Sequence, residues 1–258
     1  MKKSKALLLG AGILSASFLM AACSSAQSNT DKTYSYVFAS NPDTLDYITS
    51  TRGSTSSITT NLIDGLLEND KYGNLVPSMA QSWTVSKDGL TYTYKIRQGA
   101  KWYTSEGEEY AEVTAHDFVT GLKYAADKKA ENLYLVRDSI KGLADYVEGK
   151  TSDFETVGVK AVDDYTLQYT LNKPESYWNS KTTGGILSPV NEAFLKSKGD
   201  DFGSVTPSSI LSNGPYLFKS FTSKSLIEFE KNPNYWDKDN VKIEKVKLSF
   251  YDGSDQDS

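Results

Sequence analysis

Tyr34, Tyr36 and Phe38 alternate with Ser35 and Val37 at the period of a strand, and Asn41, Pro42 and Asp43 then break the run. A loop rich in Thr, Ser and Gly follows from Thr49 to Ser57. Ile58, Leu62, Ile63 and Leu66 recur at helical spacing, which predicts a helix from about Ser56 to Leu67, and Asp70 to Asn74 turns the chain. From Ser82 to Lys101 the pattern is a hairpin. Trp83 and Val85 lead into Asp88 and Gly89, after which Leu90, Tyr92, Tyr94 and Ile96 alternate with polar residues. Thr114, three residues before Asp117, caps a predicted helix with Phe118, Leu122 and Ala125 on one face. A second helix is expected from Leu133 to Val147, presenting Ile140, Leu143 and Val147. Val157 to Leu171 reads as another hairpin, turned at Asp163 and Asp164. The last third predicts a short helix from Asn191 to Lys198 and strands at Tyr216 to Phe221, Leu226 to Glu230 and Val241 to Phe250. No internal repeat is visible, and the sum is a mixed α/β protein rich in strands.

Composition changes this picture little. Of 258 residues 38% are hydrophobic and 24% charged, enough to bury a core. Net charge is -5, from 28 Lys+Arg against 33 Asp+Glu, and the basic residues are scattered, so no nucleic-acid partner is expected. The 17 tyrosines suit pleated, half-buried surfaces.

The N-terminus adds more. Lys2, Lys3 and Lys5 precede an apolar run from Ala6 to Ala22, broken only by Ser15, Ser17 and glycines, and the run ends at the single cysteine, Cys23. Residues 1–22 have the layout of a secretory signal, and the run is shorter than the roughly 20 apolar residues of a membrane span. Leu19, Met20, Ala21, Ala22 and Cys23 resemble the lipobox of bacterial lipoproteins, with Met20 where such motifs usually carry Leu. Lipidation of Cys23 is therefore expected, and two acyl chains on one residue would anchor the chain stably on the outer face of the cell membrane. Residues 23–32, small and polar, read as a tether. With no second cysteine, no internal disulfide can form.

One block identifies a family. Ala80, Gln81, Ser82 and Trp83, then Asp88, Gly89, Tyr92, Thr93, Tyr94, Ile96, Arg97, Lys101 and Trp102, then Thr114, Ala115, Asp117 and Phe118 resemble the signature of the large extracytoplasmic solute-binding proteins for oligopeptides. Leu45 and Asp46, Leu66 and Leu67, Glu148 to Lys150, Val159 to Leu171, Asn213 to Tyr216, and Lys231 to Trp236 extend the match over about Phe38 to Phe250. With the lipobox, the nearest likeness is to oligopeptide-binding lipoproteins of Gram-positive bacteria such as streptococci. Most of these motif residues also have a plain structural reading: Trp83 and Trp102 as core, Asp88 and Gly89 as a turn, Thr114 and Asp117 as a cap.

The resemblance implies an α/β fold of the periplasmic-binding-protein type II, two lobes with an extra domain that close on an extended peptide. In that layout residues 33–63 form the first segment of one lobe, 64–190 the inserted domain and 191–258 the return to the lobe, with the second lobe lying beyond the sequence. The polar, acidic end from Tyr251 to Ser258 fits a chain cut short. Thr51, Arg52 and Gly53 map to the family segment that lies beside the peptide as an added strand, and Tyr134 with Thr183, Gly184 and Gly185 map to pocket walls. A peptide bound mainly through its backbone is recognised with little regard to side chain. Implied partners are oligopeptides, an ABC permease and its cytoplasmic ATPases; a monomer is expected, and no cofactor is called for.

Two other function classes are weighed. An enzyme would have to be built around the single histidine, His116, and neither a glycine-rich phosphate loop nor paired-cysteine metal spacing occurs. A lipid-anchored surface protein that transports nothing, whether an interaction protein or a decayed gene product, would share the same anchor and tether. The two-lobed ancestry also predicts exposed apolar surface where the rest of the protein would dock.

Overall fold

The computed structural model describes residues 32–38 and 40–250. The expected signal, Cys23 and the tether up to residue 31 lie outside the described residues, as does the end from Tyr251.

The chain opens with β1 (Thr33–Phe38) and α1 (Gly53–Thr59), then β2 (Leu67–Asn69), β3 (Leu75–Pro77), β4 (Ala80–Val85), β5 (Thr91–Ile96), β6 (Lys101–Tyr103) and β7 (Glu109–Glu112). Helices α2 (Ala115–Asp127) and α3 (Leu143–Val147) lead to β8 (Val159–Asp163) and β9 (Thr166–Thr170). After α4 (Trp178–Lys181) and α5 (Glu192–Lys198) come β10 (Tyr216–Thr222), β11 (Leu226–Lys231) and β12 (Lys245–Phe250). Two four-stranded sheets dominate, in the orders β1-β12-β11-β10 and β4-β5-β9-β8. The pairs β2-β3 and β6-β7 make small ribbons. The described residues belong to one compact unit.

The predicted hairpins form for local reasons. Asp88 accepts hydrogen bonds from the Ser86 hydroxyl and the Leu90 N–H, and Gly89 takes φ +72°, which costs a glycine little. Val85 then faces Tyr92 across the pair, and Tyr92, Tyr94 and Ile96 turn into the core. On the other edge β9 sets Tyr169 opposite Tyr92 and Leu167 opposite Tyr94. Helix α2 starts where expected, because the Asp117 carboxylate accepts the Thr114 N–H at 2.9 Å and the Trp102 indole N–H at 3.1 Å. Phe118, Leu122 and Ala125 are fully buried on its inner face, and each of the two larger side chains contributes about 1.5–3 kcal/mol by leaving water. Trp102 is core as expected, while Trp83 is only half-buried. Helix α5 begins after Asn191, whose side chain accepts the Phe194 N–H at 3.0 Å.

Three boundaries differ from the sequence pattern. The helix expected over Ser56 to Leu67 spans only Gly53 to Thr59. Asn213 reaches in and bonds both the N–H and the C=O of Asp64, at 2.9 and 3.2 Å, while the Leu62 carbonyl accepts from Asn213, Gly214 and the Ser212 hydroxyl. These tertiary partners take the backbone groups a longer helix would use, yet Leu62, Ile63 and Leu66 stay buried. The helix expected from Leu133 to Val147 is a 3-10 turn over Glu131–Leu135 and then α3. Between them Ile140 bridges to Leu171, and Gly142 sits at φ +72° against the Thr156 carbonyl, which an added Cβ would meet at 2.6 Å. Strand β12 starts at Lys245 rather than Val241: the Val241 N–H bonds back to the Lys238 carbonyl, the Val241 carbonyl accepts from the Lys231 side chain at 2.9 Å, and the Ile243 carbonyl accepts the Tyr216 hydroxyl at 3.1 Å.

Candidate functional site

The loop between β1 and α1 is built by Asp46. Its carboxylate accepts the N–H groups of Ile48 and Thr49 at 3.1 Å each, the Thr49 hydroxyl at 2.6 Å and the Tyr124 hydroxyl at 2.9 Å. That ties the loop to α2 and makes a buried acid the scaffold of an exposed segment. Burial, with Asp46 close by, raises the Tyr124 phenol well above its ordinary value, so it stays a donor. Tyr47 is buried in the same turn and donates to the Pro189 carbonyl at 2.8 Å.

Beyond this turn the chain is extended and exposed. Arg52 has φ -79° and ψ 132°, its N–H is held by the Ser50 hydroxyl at 3.2 Å, and its guanidinium pairs with Asp43 at 3.1 Å. The Thr51 side chain donates to Glu131 at 2.9 Å. Among the described residues the Thr51 backbone N–H and C=O take no protein partner. Gly53 does not prolong the extended segment but opens α1.

The other sequence-derived positions lie around this loop. Tyr134 stands on the 3-10 turn Glu131–Leu135, 72% exposed, and Glu131 of that turn is the residue Thr51 touches. Gly185 begins a second 3-10 turn, Gly185–Leu187, and packs so closely on Tyr47 that a Cβ there would meet the Tyr47 carbonyl at 2.5 Å. Thr183 and Gly184 bond back to Ser180 and Lys181, at 3.0 and 3.2 Å, which holds that stretch in place. The structure therefore brings the three groups to one loop, with the Arg52 side chain turned away onto Asp43. Glu131 was not legible as part of it, since an isolated Glu in a polar stretch carries no local signal.

Other features fall elsewhere. His116 lies 3.3 Å from Asp164 on the exposed surface. A cleft of about 360 Å³ opens on the β1-β12-β11-β10 sheet, lined by Tyr34, Tyr36, Tyr216, Val246 and Leu248 among others, none of them a peptide-binding position implied by the resemblance. A third site is internal: Asp64 accepts the Tyr235 hydroxyl at 2.7 Å and the Trp236 indole N–H at 3.1 Å, and burial pushes its carboxyl up to about 6.

Residues 74–258 match the family described as bacterial extracellular solute-binding proteins, family 5 Middle. The chain is 64% identical over 258 residues to the oligopeptide-binding protein AliA of Streptococcus pneumoniae serotype 4, which covers 99% of this chain and 39% of AliA. It is 64% identical over 265 residues to the oligopeptide-binding protein SarA of Streptococcus gordonii, covering 99% of this chain and 40% of SarA. Among solved structures it is similar to the substrate-binding domain of an oligopeptide ABC transporter from Bacillus anthracis, with TM-score 0.79 and 31% identity over 85% of this chain and 41% of that one. It is similar also to Listeria monocytogenes OppA bound to peptide, with TM-score 0.78 and 32% identity over 86% and 43% of the two chains. The chain thus spans about two fifths of the length of these relatives. The fold class is the α/β class that the resemblance implied, here as the part of the two-lobed fold that these alignments cover.

Proposed function

The chain belongs to the bacterial extracellular solute-binding proteins of family 5, and from that premise we propose that it takes part in capturing oligopeptides for an ABC-type peptide importer. The observation that carries this reading is the extended, exposed Thr51 with its backbone groups unpaired among the described residues, beside the exposed Tyr134 turn and the Gly185 turn. An extended peptide laid along Thr51 to Gly53 would supply those hydrogen bonds, with Tyr134 and Thr183 to Gly185 as walls.

The domain reading goes with it. Residues 33–63 and 191–258 are two segments of one lobe, an idea supported by the pairing of β1 with β12 across the length of the chain. Residues 64–190 form the inserted domain, which is supported by a β4-β5-β9-β8 sheet drawn entirely from within it. The leader and lipobox support export and a lipid anchor; the reading further takes the chain as a monomer that hands peptide to a permease driven by cytoplasmic ATPases.

Isothermal titration of the purified chain with a mixed peptide library is the test. Saturable heat is the expected outcome, and its absence from a sample shown to be folded by circular dichroism would overturn peptide capture by this chain. The same preparation, expressed with its leader, is expected in the detergent phase on partitioning and, as Cys23→Ala, in the aqueous phase; equal partitioning would overturn the anchor.

A further inference from the structure

The rim of the loop is charged in an uneven way. Arg52 is neutralised by Asp43 at 3.1 Å, Lys128 reaches Asp200 at 4.0 Å, and Arg137 is held by Asp138 at 2.8 Å. Glu131 has one partner among the described residues, the Thr51 hydroxyl at 2.9 Å, and that neutral donor leaves its charge uncompensated.

Glu131 and Tyr134 belong to one 3-10 turn. With three residues per turn, side chains at i and i+3 eclipse and share a face. A carboxylate with no cationic partner among the described residues and a largely exposed phenol ring therefore share one face of this turn, the carboxylate joined through Thr51 to the segment proposed to pair with peptide backbone. A carboxylate beside an aromatic face suits an ammonium or guanidinium, which gains a charge-assisted hydrogen bond from one and a cation–π contact from the other. A neutral side chain gains neither, and an acidic one is repelled.

We infer that Glu131, Tyr134 and Thr51 form a specificity position that selects oligopeptides carrying lysine or arginine where the bound backbone passes Thr51. This rests on the peptide-binding reading above, and the experiment separates the two. Calorimetry on the full chain would use hexapeptides in which one position at a time is lysine, norleucine or glutamate. At one position the lysine peptide is expected to bind about five-fold more tightly than its norleucine counterpart, with glutamate weakest. The ratio should shrink as salt is raised. Glu131→Gln keeps an oxygen for the Thr51 hydroxyl and removes the charge, and should bring the ratio to about one; Tyr134→Ala should roughly halve it. Equal binding of lysine and norleucine peptides at every position would overturn the inference and leave peptide capture standing. A ratio unchanged in Glu131→Gln would overturn the assignment to this rim. No heat with any peptide would overturn both.

Discussion

In the β4-β5-β9-β8 sheet all neighbours run antiparallel and the outer pairs β4-β5 and β8-β9 are hairpins, whereas the β1-β12-β11-β10 sheet closes through a parallel pair between residues 33–38 and 245–250. The first sheet is covered: Tyr92, Tyr94 and Tyr169 are buried, and Trp178 of α4 seats its ring 5.3 Å from Tyr169 and 6.1 Å from Tyr92. The second is half-open. Tyr34 and Tyr36 on β1 remain 54% and 52% exposed over the apolar cleft, although they pair in register with Val246 and Leu248. Strand pairing satisfies the backbone, but only an element packed on the face removes the side chains from water.

The sharpest way to break this contrast is to remove the cover of the first sheet. Trp178→Ala should cost about 3–5 kcal/mol of unfolding free energy in urea, because it empties the space between three tyrosine-bearing strand positions that cannot collapse together. A loss under about 1 kcal/mol would show that the cluster repacks and that the two sheets are less different than they look.

A smaller effect concerns Asp64, which joins the β2 end of the chain to Tyr235 and Trp236 after β11. Its folded carboxyl is raised from 3.8 to about 6 by burial, against the hydrogen bonds from Tyr235 and Trp236 that lower it. A folded value above the unfolded one means the folded state holds the proton more tightly, so this contribution is fully present below about pH 4 and is lost as pH rises through about 6. Asp64→Asn, which cannot titrate, should therefore flatten the pH dependence between 5 and 7 by an amount on the order of 1–3 kcal/mol. Denaturation followed by tryptophan fluorescence at pH 5, 6 and 7 checks it, and parallel curves for the two proteins would remove Asp64 from the account.

The smallest effect belongs to the open sheet. Tyr36→Lys should change unfolding free energy by no more than about 0.5 kcal/mol, since that ring is already half in water. It should nonetheless raise the concentration at which the chain stays soluble, because an uncharged aromatic edge strand invites pairing with other chains. Light scattering against concentration reads the solubility. A destabilisation of several kcal/mol would mean that the ring is structural and the face closed.

The candidate positions could be read from the chain, but not how the fold brings them together. Thr51, Arg52 and Gly53 came from resemblance, and the structure explains the first two through Asp46, whose carboxylate shapes the turn ahead of them. Gly53 proved to be the first residue of a helix. Glu131 was missed because its meaning depends on a partner 80 residues away. Arg52, the most conspicuous charge in the loop, turns to Asp43 and away from the rim.

What the sequence determined by itself were the elements whose reasons are local: the Asp88-Gly89 hairpin, the Thr114 to Asp117 cap of α2, the short helix that follows Asn191 and the antiparallel runs around them. Their stabilising hydrogen bonds close within a few residues, so period and turn chemistry suffice. Tertiary structure alone decided the rest. Asn213 ended α1 by binding Asp64, Ile140 left the helical pattern to meet Leu171, and β1 found β12 more than 200 residues away. In each case a backbone group had a choice between a local partner and a distant one, and the distant one came with buried apolar surface that the local alternative lacked.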